Sequence, residues 1–192
     1  MNRTDMDAAI RDYLNRPNLE TATITLWIQS IEGELNRLLR EHPRMILRTA
    51  YTQEAGNPIL PLPVDVMQVI TLRRKDTVYR QFPPSMREGA KAAGDAFIAF
   101  GDCLEIFPSP SAATEFNLEY AAALKPVASD FDANWVSTYF SDIYIYGALK
   151  EAAVYLKDDA RLAQWTQEFM RRVDGLLAQG WNQNIATMPN FR

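Results

Sequence analysis

The stretch from Ser141 to Gly180, SDIYIYGALKEAAVYLKDDARLAQWTQEFMRRVDGLLAQG, governs the fold of this chain. Its apolar residues recur every three or four positions on both sides of an acidic turn at Asp158 and Asp159, which predicts two helices. Gly180 is predicted to end the second helix, and one of the two aspartates to cap its start. Because burying one apolar stripe does not offset the entropy lost on ordering a helix, the two helices are expected to pack as a hairpin against the rest of the chain. The stripe of the second helix consists of Leu162, Trp165, Phe169, Val173, Leu176 and Leu177.

Composition excludes several classes of protein. The chain has 192 residues, of which 47% are hydrophobic and 23% charged, as in ordinary globular domains. The net charge of −4 and the scattered basic residues disfavour a dedicated nucleic-acid binder, which concentrates Lys and Arg on one face. A single cysteine fits a reducing compartment. The polar N-terminal residues predict no signal peptide, and no apolar run approaches the roughly 18–20 residues of a membrane span.

Helices are predicted before residue 43 and strands after it. Residues 4–15 and 20–41 show helical spacing, and a proline-containing break ends each run. From Pro43 to Pro126 the helical period gives way to apolar and polar alternation with Pro and Gly turns. Residues 58–63, with three prolines, are predicted to be extended and irregular. The runs predicted as strands are 45–51, 66–73, 78–82, 97–100, 103–107 and 116–120.

The clearest local signal is a β-hairpin turn at Gly101-Asp102, which lies between two apolar runs. A two-residue turn places Phe100 opposite Cys103. Alternation then puts every second residue on the core side of the hairpin. The predicted core side consists of Phe97, Ala99, Leu104 and Ile106.

Helices followed by strands and then by helices predict an α+β fold that is mainly helical. The expected architecture is a helical bundle built from both chain ends, with a small inserted β unit. The predicted parts are N-terminal helices at 1–44, the inserted β-rich unit at 45–125, the C-terminal helical hairpin at 126–180, and an extended C-terminal tail at 181–192.

The residue types that carry chemistry do not form a recognisable catalytic or metal site in the sequence. His42 stands at a helix end, and Cys103 has no histidine near it in sequence, so neither is placed as a nucleophile or base. Asp158-Asp159 fits a helix cap better than a cation site. The sequence therefore indicates no catalytic residue, no cofactor and no metal site, which the resemblance described below extends to a non-enzymatic protein.

Two groups of side chains in the sequence are not explained by packing in one hydrophobic core. The aromatic residues of the first hairpin helix cannot all face one core, and tyrosine is enriched in protein interfaces. This makes Tyr139, Tyr144 and Tyr146 candidates for contacts between subunits.

Basic residues also cluster in the β region, where a solvated loop and a contact with an acidic partner are both open interpretations. That cluster consists of Arg73, Arg74, Lys75 and Arg80.

The C-terminal segment WNQNIATMPNFR, residues 181–192, is too apolar for a solvated tail. It is expected to dock, either on its own body or on a partner protein. The candidate docking residues are Trp181, Ile185, Met188, Phe191 and Arg192.

Five stretches, in order, resemble the head–tail adaptor (connector) proteins of tailed bacteriophages, and they span about three quarters of the chain. The most distinctive is DIYIYGALKEAAVYLKDDARLAQW. The matching stretches are Ile24–Arg40, Leu60–Leu72, Gly101–Pro110, Phe116–Tyr120 and Asp142–Trp165.

The resemblance implies a structural virion protein at the head–tail junction, made in the host cytoplasm. Such adaptors form a homo-oligomeric ring, usually of twelve copies, which docks on the portal protein, extends the DNA channel and receives the tail or nozzle proteins. Genomic DNA would pass through without sequence-specific binding, and no membrane is involved. In this family terminal segments often reach the portal, a role that would fall here to residues 181–192.

Two other functions are weighed against this one. The first is another virion module, such as a completion or stopper protein. The second is a small hydrolase that uses carboxylates in a cleft between the β unit and the helices, although no spacing in the sequence indicates such a pair.

Overall fold

The structure is a computed structural model that describes the backbone of residues 1–186 and the side chains of residues 1–179. The chain divides into two compact units. The helical unit joins the residues before Arg44 to those after Ala123, and the sheet unit spans Arg44–Ala123. Each unit buries its own set of large apolar side chains.

The first and the last of the described helices begin at a capping side chain. Asn2 caps the first, since its side chain accepts a hydrogen bond from the Asp5 N–H at 2.8 Å. Asp158 caps the last, accepting from the Arg161 N–H at 3.1 Å, which confirms the predicted cap. In chain order the α-helices of the described residues are α1 (Arg3–Leu14), α2 (Thr21–Leu38), α3 (Arg87–Ala93), α4 (Trp135–Tyr139), α5 (Ser141–Leu156) and α6 (Asp159–Ala186).

The predicted hairpin is present as α5 and α6, but its second helix is longer than expected. Trp165, Phe169 and Val173 are buried, as the stripe predicts. The prediction that Gly180 ends the helix was wrong, because α6 continues to Ala186. A glycine weakens a helix interior by about 1 kcal/mol but ends it only where the chain turns into the left-handed conformation. Part of the expected extended tail is therefore helical.

Helices α2 and α5 approach closely at a glycine. A Cβ atom built on Gly147 of α5 would lie 2.9 Å from Cγ1 of Ile31, which is shorter than van der Waals contact. Ile31 is fully buried. The missing side chain at Gly147 thus lets the two helices pack at short range.

The sheet unit contains seven strands within the described residues, in the spatial order β1-β7-β3-β4-β5-β6-β2. All neighbouring pairs are antiparallel except β4 and β5. The strands are β1 (Ile46–Gln53), β2 (Ile59–Pro61), β3 (Val66–Arg74), β4 (Thr77–Phe82), β5 (Ala96–Phe100), β6 (Cys103–Phe107) and β7 (Thr114–Ala122).

This sheet overturns the predicted fold class. The described part of the chain is 47% helical and 25% strand, and its seven strands form a nearly closed, barrel-like sheet, so the expectation of a mainly helical bundle with a small β unit was wrong. One cause lies in residues 58–63, predicted to be irregular because of their three prolines, where β2 pairs with β6 although it ends at Pro61. Prolines are tolerated in a strand at a sheet edge, and β2 is such a strand. Closure also depends on pairing between distant strands, which alternation within one strand does not report.

Within the sheet, the predicted hairpin is confirmed. Phe100 pairs with Cys103 in the β5–β6 register, and Gly101 takes the positive φ of 55° that such a turn requires. The predicted core side faces inward and packs with residues from the other strands. The buried core of the sheet unit consists of Leu60, Val69, Leu72, Tyr79, Phe97, Leu104, Ile106, Phe116, Leu118, Tyr120 and Ala122.

Candidate partner-docking surfaces

Tyr144, one of the three predicted ring-contact residues, is fully buried inside the helical unit. Its hydroxyl accepts a hydrogen bond from Nδ2 of Asn134 at 2.7 Å and donates one to Oε1 of Glu32 at 3.3 Å. The same Glu32 oxygen accepts from the Val127 N–H at 2.7 Å. Tyr144 therefore offers no surface to a neighbour in this structure and instead joins α2, α5 and the segment before α4.

Burial gives Glu32 an unusual titration. Desolvation raises the pKa of this carboxyl above its ordinary value, and the hydrogen bonds from Val127 and Tyr144 and the charge of Arg3 oppose that rise only in part. The folded state therefore holds the Glu32 proton more tightly than the unfolded state does.

Because of this raised pKa, we expect Glu32 to lower the free energy of unfolding increasingly as the pH rises. Its stabilising contribution is fully present below the unfolded pKa near 4.5 and is lost as the pH rises through the higher folded pKa. In Glu32→Gln the side chain stays neutral, and its amide oxygen can accept the same two hydrogen bonds. The stability advantage of the variant over the wild type should thus grow from about pH 4.5 upward and then level off. Urea unfolding over a pH series measures this, and an advantage that stays constant with pH would contradict it.

Tyr146, the second candidate, is half-buried and carries an arginine over its ring. The Arg172 guanidinium carbon lies 3.7 Å from the ring centroid, a cation–π contact. Arg172 also binds Oδ2 of Asp142 at 2.7 Å and the Glu168 carboxylate. On α1, the ring of Tyr13 lies 6.2 Å from that of Tyr146. This stack links α1, α5 and α6, and its Tyr13 end is exposed.

Tyr139, the third candidate, is 68% exposed at the end of α4. It is thus available at the surface of the helical unit. Other large apolar side chains exposed on the described part of that unit are Met1, Tyr13, Leu26, Phe131, Val154 and Tyr155.

The five candidate docking residues at the C-terminus lie outside what the structure describes in side-chain detail. Trp181 and Ile185 belong to the last turns of α6, with backbone described only. Met188, Phe191 and Arg192 lie beyond the described residues. Their role stays a prediction.

The basic residues of the sheet unit do not form one cluster, because they lie on both faces of the sheet. Arg74 is half-buried, 3.3 Å from Oδ1 of Asp95. Arg73 and Arg80 are exposed and alternate with the buried Leu72 and Tyr79, so they lie on the outer face.

Lys75 and Arg48 complete this outer surface. Lys75, in the β3–β4 turn, and Arg48, opposite Glu119 on β1, line a groove of about 300 Å³ with Arg73. We call the four outer cations the basic sheet face: Arg48, Arg73, Lys75 and Arg80.

Only Arg48 of these four has an acidic partner among the described side chains, Glu119 at 3.2 Å. The other three are exposed cations without an ion pair in that part of the chain. Such a surface attracts negative charge.

One further exposed surface of the helical unit was not predicted from the sequence. The turn Ser129–Asp132, here called the Phe131 loop, carries a phenylalanine that is 96% exposed. The Asp132 N–H closes the turn on the Ser129 carbonyl at 3.1 Å. The sequence feature that could have indicated this surface is an aromatic residue between two aspartates in a polar turn.

Both aspartates of the Phe131 loop are anchored. Asp130 accepts hydrogen bonds from the N–H and the hydroxyl of Thr4, at 2.7 and 2.8 Å, and these hold its pKa below the ordinary value. Asp132 accepts from Ser129 Oγ at 2.7 Å and pairs with Lys125 Nζ at 2.9 Å, which lowers its pKa likewise. The Phe131 loop is therefore an ordered, negatively charged turn that holds an exposed aromatic ring.

The residues considered for chemistry have structural contacts. His42 stacks on the ring of Trp135, with centroids 4.9 Å apart, and Cys103 donates to the Phe100 carbonyl at 3.4 Å. Within the described residues, no three His, Cys, Asp or Glu side chains are grouped so that they could hold a metal ion. In the same part of the chain, every helix is too short or too polar to cross a membrane.

Comparison with known proteins gives one result. Among curated proteins, none matches this chain. The family model described as SU10 adaptor protein matches residues 1–190, nearly the whole length. The match thus covers the sheet unit and nearly all of the helical unit. The chain therefore belongs to the SU10 adaptor protein family, a family of the phage head–tail adaptor type.

Proposed function

We propose that this phage structural protein joins the portal to the tail as one subunit of a ring. The observation that carries the proposal is the family match over residues 1–190, since the family consists of structural adaptors of the virion rather than enzymes. In this function the ring, of about twelve copies, docks on the portal, extends the DNA channel and gives the tail or nozzle proteins their attachment site. DNA passes through it without sequence-specific contacts.

A ring requires two different, mutually complementary binding surfaces on each subunit, because its contacts are head-to-tail. The candidates for such contacts are the exposed Tyr139, the half-buried Tyr146, the basic sheet face and the Phe131 loop. The apolar C-terminal residues supply candidates for the portal contact. Two kinds of interface are thus provided by different parts of one chain.

Mixing the full chain with the assembled portal protein tests this function. We expect a ring of the chain on one end of the portal, seen by electron microscopy, with a copy number given by native mass spectrometry. Replacing Trp181, Ile185, Met188 and Phe191 by Ala should abolish attachment while circular dichroism stays unchanged. A matched control, Val154→Ala with Tyr155→Ala, removes exposed apolar side chains from α5 and should leave attachment intact.

Three outcomes count against the proposal. Absence of any complex between the full chain and the portal would overturn the function as stated. Attachment only to a complex that already carries another neck protein would favour the completion or stopper module. Unfolding of the C-terminal variant would mean that those residues belong to the core of their own subunit, not to a portal contact.

A further inference from the structure

We propose that the Phe131 loop of one copy binds the basic sheet face of a second copy. This inference rests on the ring of the proposed function and names the two surfaces that form its subunit contact. The loop belongs to the helical unit and the face to the sheet unit, so the contact is head-to-tail.

The Phe131 loop has the properties of an anchor for a protein partner. Its ring is 96% exposed, whereas the turn that carries it is held by Thr4, Ser129 and Lys125. A side chain that is presented on an already ordered turn loses little conformational entropy on binding. Aromatic residues of this kind are the usual centres of binding energy in interfaces.

The basic sheet face has the complementary chemistry. Arg73, Lys75 and Arg80 have no ion pair among the described side chains. Asp130, which accepts hydrogen bonds from Thr4 and pairs with no cation among those side chains, would supply the negative charge, whereas Asp132 is already paired with Lys125. An arginine guanidinium also binds the face of an aromatic ring. The groove beside Arg73, about 300 Å³ and open to solvent, gives the Phe131 ring a place to enter.

A second copy suits this face better than DNA does. Acidic side chains are interspersed with the cations: Glu119 pairs with Arg48, and Asp76 and Glu115 line the neighbouring groove with Lys75. A surface for a phosphate backbone would instead repeat positive charge without such acids. The mixed pattern favours a small acidic loop that contacts a few cations.

Photo-cross-linking in the assembled complex tests the contact. The full chain carries p-benzoyl-phenylalanine in place of Phe131, is mixed with isotopically heavy wild-type chain, assembled on the portal and irradiated. We expect mass spectrometry to find light–heavy cross-links from position 131 to the peptide that contains Arg73 and Lys75. Cross-links confined to one copy, to the portal, to a tail protein or to DNA would overturn the inference, as would the absence of any cross-link.

A pair of variants tests the same contact by complementation. Phe131→Ala leaves the basic sheet face intact, and Arg73→Glu with Lys75→Glu leaves the loop intact. Each variant alone should fail to form rings, with at least tenfold weaker self-association in sedimentation, and a mixture of the two should form dimers with one copy of each. Phe100→Ala, which removes another exposed phenylalanine, should behave like the wild type.

The outcomes separate this inference from the function on which it rests. If wild-type chain forms rings on the portal but either variant alone still does so, the inference fails and the ring stands. If the two variants fail to form mixed dimers, the loop and the face are not partners. If wild-type chain forms no ring at all, the ring of the proposed function fails, and the subunit contact with it.

Discussion

Replacing Arg3 by Met is expected to lower the free energy of unfolding of the helical unit by about 3–5 kcal/mol. The Arg3 side chain is only 7% exposed, and its Nε donates to Oδ1 of Asp7 at 2.7 Å. Its other nitrogens donate to the Val127 carbonyl at 3.0 Å and to Thr25 Oγ1 at 2.6 Å. Without the guanidinium, the Asp7 carboxylate stays buried with no compensating charge. Urea unfolding followed by circular dichroism measures the loss.

A double variant shows where that loss comes from. Arg3→Met with Asp7→Leu removes both buried charges and should recover most of the stability, because the isolated charge is what destabilises the single variant. Arg171→Ala is the matched control, since Arg171 pairs with Glu168 at the surface and should change stability by less than about 0.5 kcal/mol. If Arg3→Met behaved like this control, the buried network would not be as described.

Replacing Phe116 by Ala is expected to destabilise the sheet unit by about 3–5 kcal/mol. Phe116 is 1% exposed at the centre of the barrel-like sheet, and its ring meets that of Tyr79 edge-on, with centroids 5.5 Å apart. The substitution leaves a cavity that neighbouring strands cannot fill, because each is held by its own register. Thermal and urea unfolding would show the loss.

The same substitution at Phe100 is the control. Phe100 lies in the same sheet, at the hairpin turn, but is 42% exposed, so its loss should be below about 1 kcal/mol. Equal losses at the two positions would contradict the inward orientation of β7. The comparison thus tests the closed core that distinguishes this fold from the predicted helical bundle.

The predictions that succeeded rest on neighbours in sequence. The Gly101-Asp102 turn specifies its own hairpin register, and Asp158 caps the helix that begins at the next residue. The predictions that failed rest on distant partners. Tyr144 was assigned to a subunit contact because its helix is rich in tyrosine, but the residue is fully buried and its hydroxyl donates to Glu32, 112 residues away in the chain.

For the candidate docking surfaces too, the features set by nearby residues were predictable, and those set by distant residues were not. The excess of tyrosine around the first hairpin helix and the basic residues of the β region were visible in the sequence, and the family resemblance indicated a structural virion protein. Which cations share a face depended on strand register, since Arg74 turned inward to Asp95 while Arg73 stayed outside. The exposure of Phe131 depended on the anchoring of its loop by Thr4, more than a hundred residues earlier in the chain.

Residue order alone established the helix periods, the Asp158 cap, the tight turn and the alternation of each strand, because these depend on contacts within a few residues. The pairing of distant strands into a nearly closed sheet, the burial of Arg3, Glu32 and Tyr144, and the pairing of surface charges required the folded chain. The physical reason is that the free energy of a buried polar group or a strand edge depends on which distant segment covers it. That choice is made by all the elements together and is not encoded in any single stretch.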